Sequence, residues 1–189
     1  MFQPCPPGHP SRPAPALIFA IYLFAIRISN DPLVKPNESA YLNRATQEAA
    51  TALSGNHPYK VIHSIQAEVL LATYFFSVGR FFEGKYHVAN AVSTTVSSGL
   101  HKIRSTTPIS SPVLPPHCDL IEEGERIIGA WTVFNLDKCW AIALDDFSPN
   151  FEHSNHPLAS KIDTPWPLDM DEFEQASRFF HISFYGLLT

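Results

Sequence analysis

The residues of this chain that could do chemistry are nine histidines, three cysteines and one pair of adjacent carboxylates. His153 and His156 stand three apart, a spacing that could begin a metal site, but no third ligand follows nearby. Zinc needs three or four ligands in a definite geometry. His117 and Cys118 are sequence neighbours, and adjacent side chains do not form a chelating pair. The histidines therefore read as solvent-exposed or singly hydrogen-bonded. Cys5, Cys118 and Cys139 are an odd number without a CxxC spacing, which argues against a zinc site or a disulfide framework and fits a reducing compartment. Asp145 and Asp146 could form an acid–base pair, yet such a pair needs surroundings that push its two pKa values apart. Placed where a helix ends and a loop begins, they read as a solvated stop. No Gly-rich phosphate loop, nucleophile elbow or recognisable Cys–His constellation occurs. Cys139 lies in an apolar stretch and is expected to be a small core residue. The sequence assigns no catalytic residue, no metal ligand and no cofactor-binding residue.

Arg126 and Asp137 are more informative. Eleven residues apart, they return to one helix face three turns later, and buried charges must find partners. They are expected to form a structural network with another segment. The element that positions them is a predicted helix over 121–144. Asp119 is its expected N-cap, with Glu122 three residues on as in a capping box. Glu122, Glu123 and Glu125 crowd the first turn, where the helix dipole favours negative charge, and Glu122 stands four residues before Arg126. Beyond that turn, Ile127, Ile128, Trp131, Val133, Phe134, Leu136, Cys139, Trp140 and Ile142 point to nearly every side. Such a helix is expected to be enclosed by neighbours.

The remaining elements are also helical. Residues 1–16 carry six prolines and read as a disordered lead-in, before a buried helix over 17–28. That run is too short for a bilayer, which needs about 20 apolar residues, and Arg27 interrupts it. Asn37 is expected to cap a helix over 38–53, ended by Gly55 and Asn56 in left-handed geometry. Ile62, Ile65, Val69, Ala72 and Phe76 recur at helical spacing over 61–78. Gly79 ends that helix, and the short join to the next, over 81–98, predicts an antiparallel pair. Gly84 would allow a close backbone approach. A Pro/Ser-rich internal loop covers 105–118, residues 145–163 read as irregular, and 164–167 (TPWP) as stiff and extended. A last amphipathic helix is expected over 171–188. No period-two pattern is present. The expected fold is all-α: an irregular helical domain over 17–189, with antiparallel helix pairs around a long buried central helix. The net charge of −5 without a basic run leaves no electrostatic footprint for nucleic acid or an anionic membrane.

Taken in order, several pieces resemble one known family. Gly124-Glu125-Arg126-Ile127, Ala130-Trp131-Thr132-Val133-Phe134, Leu136-Asp137-Lys138-Cys139-Trp140 and Ala141-Ile142-Ala143-Leu144 resemble the central segment of the fungal-specific transcription factor domain. That domain is the middle homology region of zinc binuclear cluster regulators, the xylanolytic activator-type regulatory domain. Ile162-Asp163-Thr164-Pro165-Trp166-Pro167 resembles its downstream extended segment. Ser64-Ile65-Gln66-Ala67, Gly79-Arg80, Glu83-Gly84 and Ser98-Gly99-Leu100-His101 resemble its helix pair, and Pro15-Ala16-Leu17 its first helix. The resemblance covers about 15–169. It implies a nuclear, all-helical, non-enzymatic regulator of transcription by RNA polymerase II, which holds an activator silent or responds to an inducer.

In that family DNA is bound by a separate N-terminal zinc cluster, which these residues lack. The resemblance therefore implies a C-terminally truncated fragment with no cofactor of its own. Partners would be the transcription machinery, a second copy of the chain or a small-molecule inducer, with DNA reached only through the missing cluster and no membrane. Arg126, Trp131, Asp137, Trp140 and Trp166 are the core or regulatory candidates, the tryptophans lining a groove. A stand-alone TPR-like interaction module built on 61–99 is the alternative, but a repeat of about 34 residues would have to support it and none occurs.

Overall fold

The computed structural model describes residues 12–105, 114–144, 162–169 and 171–172. Among them are five α-helices and no strand: α1 (Pro15–Ile28), α2 (Glu38–Thr51), α3 (Lys60–Ser77), α4 (Phe81–Ser97) and α5 (Leu120–Ala143). Three short 3₁₀ turns, Lys35–Asn37, Ala52–Ser54 and Leu100–Lys102, join them. The chain divides into two compact units, Met1–Thr94 and Thr95–Thr189. The helix expected over 171–188 lies outside the described residues beyond 172, as do Cys5, Asp145, Asp146, His153 and His156.

In the first unit, small residues let three helices approach closely. Ala16 and Ala20 of α1 pack on Ala67 of α3. Leu23 joins Ala45 and Ala49 of α2 with Leu71, Tyr74 and Phe75 of α3. Tyr74 donates its hydroxyl hydrogen to Glu38 Oε1 (3.0 Å), tying α3 to the start of α2. α1 begins at Pro15, two residues before the predicted start, where proline's missing N–H costs nothing. It is not enclosed on every side as predicted, since Ile21, Tyr22 and Ile28 are exposed. Asn37 does not cap α2. It belongs to the preceding 3₁₀ turn and makes no capping hydrogen bond with its side chain. Gly55 is extended (φ −72°) rather than left-handed, because a 3₁₀ turn has already ended the helix.

Gly79 behaves as predicted. Its φ is +77°, and the Arg80 and Gly79 amides donate to the Phe75 and Phe76 carbonyls, a Schellman closure. The chain then reverses, and α3 pairs with α4 in antiparallel fashion. Contacts fall from Phe76 to Glu68 along α3 while rising from Gly84 to His87 along α4. A Cβ at Gly84 would stand 2.5 Å from the Phe76 ring, so glycine here sets the helix spacing.

In the second unit, α5 opens as predicted. Asp119 Oδ1 accepts the Glu122 amide at 2.7 Å. Glu122 Oε2 reaches back to the Cys118 N–H (2.8 Å), one residue earlier than the standard capping box. Burial is confined to one stripe: Glu123, Arg126, Ile127, Ala130, Val133 and Asp137. Ile142 is 82% exposed, and Cys139, expected in the core, is also exposed. Apolar content around a helix measures what it could bury, and here one face does the burying.

Candidate functional site

Arg126 is 6% exposed on the buried stripe of α5. Its guanidinium donates to the Pro115 carbonyl (2.8 Å) and to Glu122 Oε1 (2.6 Å), so the i,i+4 pair read in the sequence forms and also holds the incoming chain. Burial pushes the Glu122 carboxyl up, but the Cys118 amide and Arg126 together outweigh it and hold it below its ordinary value. Glu123, buried one position on, receives a two-pronged bond from Arg104 (2.9 and 2.7 Å). That bond, against a smaller effect of burial, lowers its pKa too. Asp137 is 3% exposed, with Lys138 Nζ 3.8 Å away. Arg126 and Asp137 thus share a face without meeting.

Trp131 and Trp166 do meet. Their rings stack 4.3 Å apart, 10° from parallel, and Trp131 Nε1–H donates to the Pro165 carbonyl at 2.7 Å. Trp166 nevertheless remains 74% exposed, as an outer layer on Trp131. The extended segment around it is strapped to the turn after α4. Asp163 donates its amide to the His101 carbonyl (2.8 Å), and Thr164 Oγ1 donates to Leu100 O (2.6 Å) while accepting from the Ile103 amide (3.1 Å). Ser105 Oγ adds a bond to Asp163 Oδ2 (2.5 Å). Trp140 is half-buried and does not join them, because nine residues at about 100° each place it half a turn from Trp131.

The first unit holds an arrangement that sequence reading missed. Glu68 and His87, each 6% exposed, meet across α3 and α4 with Oε2 2.5 Å from Nδ1. The imidazole stacks flat on Phe75 (centroids 5.1 Å, 7°). The pair lines a cleft of about 420 Å³ whose other walls come from α2, α3 and α4. His87 and His101 are thus buried, against the expectation of exposed histidines, although His87 does make a single hydrogen bond. One signal was available. Glu68 lies three residues from Ile65 and four from Ala72, on the apolar face of α3.

Among the described residues no group of three or more His, Cys, Asp or Glu side chains could hold a metal ion, and no helix is long and apolar enough to cross a membrane. The model of the fungal specific transcription factor domain matches residues 7–185. The chain belongs to that family. No curated protein and no solved structure matches it. For a fungal transcription factor domain, the buried α5 stripe and the strapped 162–167 segment are the framework, and the cleft beside His87 is a concavity with polar walls. The family is one of transcription regulators and not of enzymes.

Proposed function

We propose that this chain is the regulatory, middle homology region of a fungal zinc-cluster transcription factor. It acts in the nucleus on transcription by RNA polymerase II, with DNA contacted by a segment outside these 189 residues. The observation that carries this reading is the family match over 7–185. A net charge of −5 supports assigning DNA contact elsewhere, since phosphate binding draws on clustered Lys and Arg. Regulation would operate as a two-state equilibrium of the helical units, biased by whatever binds one state better. The Trp131–Trp166 stack and its strap are the proposed moving part. Only single hydrogen bonds and one exposed ring hold that segment, so small differential contacts can shift it. Arg126, Asp137 and Trp140 belong to the supporting core.

The test is transcript profiling in a strain whose chromosomal copy carries Trp131→Ala. A defined gene set changing its induction ratio, with protein level unchanged, is the expected result. An unchanged transcriptome alongside a stable, nuclear protein would overturn the reading.

A further inference from the structure

The cleft of the first unit combines features that folding alone does not require. Glu68 and His87 are more than nine-tenths buried, and Ser64, one turn before Glu68 on α3, is equally buried and lines the same cleft. Burying a carboxylate–imidazole pair is seldom more stabilising than an apolar pair of the same volume, so such a pair is weak evidence of stability alone. Its geometry does something specific. With Nδ1 engaged by Glu68, the ring plane is clamped against Phe75, and Nε2 is the nitrogen left for another partner. Among the described residues neither Nε2 nor the Ser64 hydroxyl has a hydrogen-bond partner, yet both residues line the cleft.

The walls define the chemistry of an occupant. Asn90, Ser93 and Thr94 of α4 and Thr46 of α2 add a carboxamide and three hydroxyls, groups that both donate and accept. No lysine or arginine is among the lining residues, so a phosphate or carboxylate would meet the Glu68 carboxylate without a counter-charge. Tyr86, 64% exposed, stands at the lining as an aromatic edge. The volume of about 420 Å³ lies within the range of small-ligand sites, roughly 300–1,000 Å³.

We propose that this cleft binds a small uncharged molecule carrying several hydroxyl groups, gripped by His87 Nε2, Ser64 and Asn90. A hydroxyl serves such a wall better than a pure donor or a pure acceptor, because each lining group needs both. Binding stands independently of the regulatory reading, and only its consequence for transcription rests on that reading.

The test reads the site directly, because polyols raise melting temperatures through general exclusion from protein surfaces. Imidazole ¹⁵N–¹H spectra of the full chain are recorded while D-glucose, sorbitol and myo-inositol are added. Putrescine and inorganic phosphate serve as charged probes. A saturable shift of the His87 nitrogens by at least one neutral probe is expected, weakened about tenfold or more in Asn90→Leu, the loss of one or two hydrogen bonds. Thr94→Val provides a second, smaller change should Asn90→Leu fail to fold. No response at His87 to any neutral probe, a response only to putrescine or phosphate, or equal affinity in folded Asn90→Leu and Thr94→Val would overturn the proposal.

Discussion

Replacing Gly84 by alanine sets two known effects against each other. Alanine in a helix interior is favoured over glycine by about 1 kcal/mol. Here, however, the new Cβ would stand 2.5, 2.6 and 2.9 Å from Cε1, Cδ1 and Cζ of Phe76. That ring is buried and cannot swing into solvent, so α3 and α4 must separate or the ring must leave its rotamer. Overpacking of this kind costs about 1–3 kcal/mol, and the net expectation is a loss of about 1–2 kcal/mol. Gly129 of α5 is the control, since nothing lies within 4 Å of its Cβ position. There the propensity term acts alone, and Gly129→Ala gains up to about 1 kcal/mol. Urea unfolding should be followed by far-UV circular dichroism, because Trp131, Trp140 and Trp166 all report on the second unit. Adding Phe76→Leu to Gly84→Ala should recover part of the loss, giving a non-zero coupling in the double-mutant cycle. A Gly84→Ala protein as stable as the parent would refute the claim that glycine sets the α3–α4 spacing.

Further outcomes follow from the second unit. Arg126→Ala strands the partly buried Glu122 carboxylate and the Pro115 carbonyl, and should cost about 3 kcal/mol or more; normal melting of a folded variant would contradict this. Trp131→Phe keeps a ring against Trp166 but loses the bond to Pro165, so amide exchange at Asp163 should quicken while the helices stay protected, at about 1 kcal/mol. Glu122 and Glu123 have lowered pKa values in the fold, so their stabilising contribution is complete above the unfolded carboxylate value and is lost as pH falls through the folded one. Acid titration of Glu123→Gln should therefore show a shallower stability loss below about pH 4 than the parent.

Much of this fold was legible because local chemistry decides it. Asp119 before an acidic turn, Gly79 and Gly99 at positive φ, and the short join between α3 and α4 specify ends and reversals from neighbouring residues alone. Asn37 and Gly55 misled for the complementary reason, since a 3₁₀ turn satisfies the helix end that each residue type would otherwise serve. Sidedness was harder to read. Residues 121–144 carry apolar side chains all round, yet only the Glu123–Asp137 stripe is buried, because burial depends on which segments approach. The Glu68–His87 pair lay hidden for the same reason. Each residue is ordinary in its own helix, and only the antiparallel register of α3 and α4 brings them within 2.5 Å.

The most direct test of the regulatory role places this 189-residue chain between a heterologous DNA-binding module and a constitutive activation segment, upstream of a reporter gene in a fungal cell. The account predicts reporter output well below that of the same fusion without the chain, with Trp131→Ala restoring it. Equal output from the two fusions, with the chain folded and in the nucleus, would contradict it.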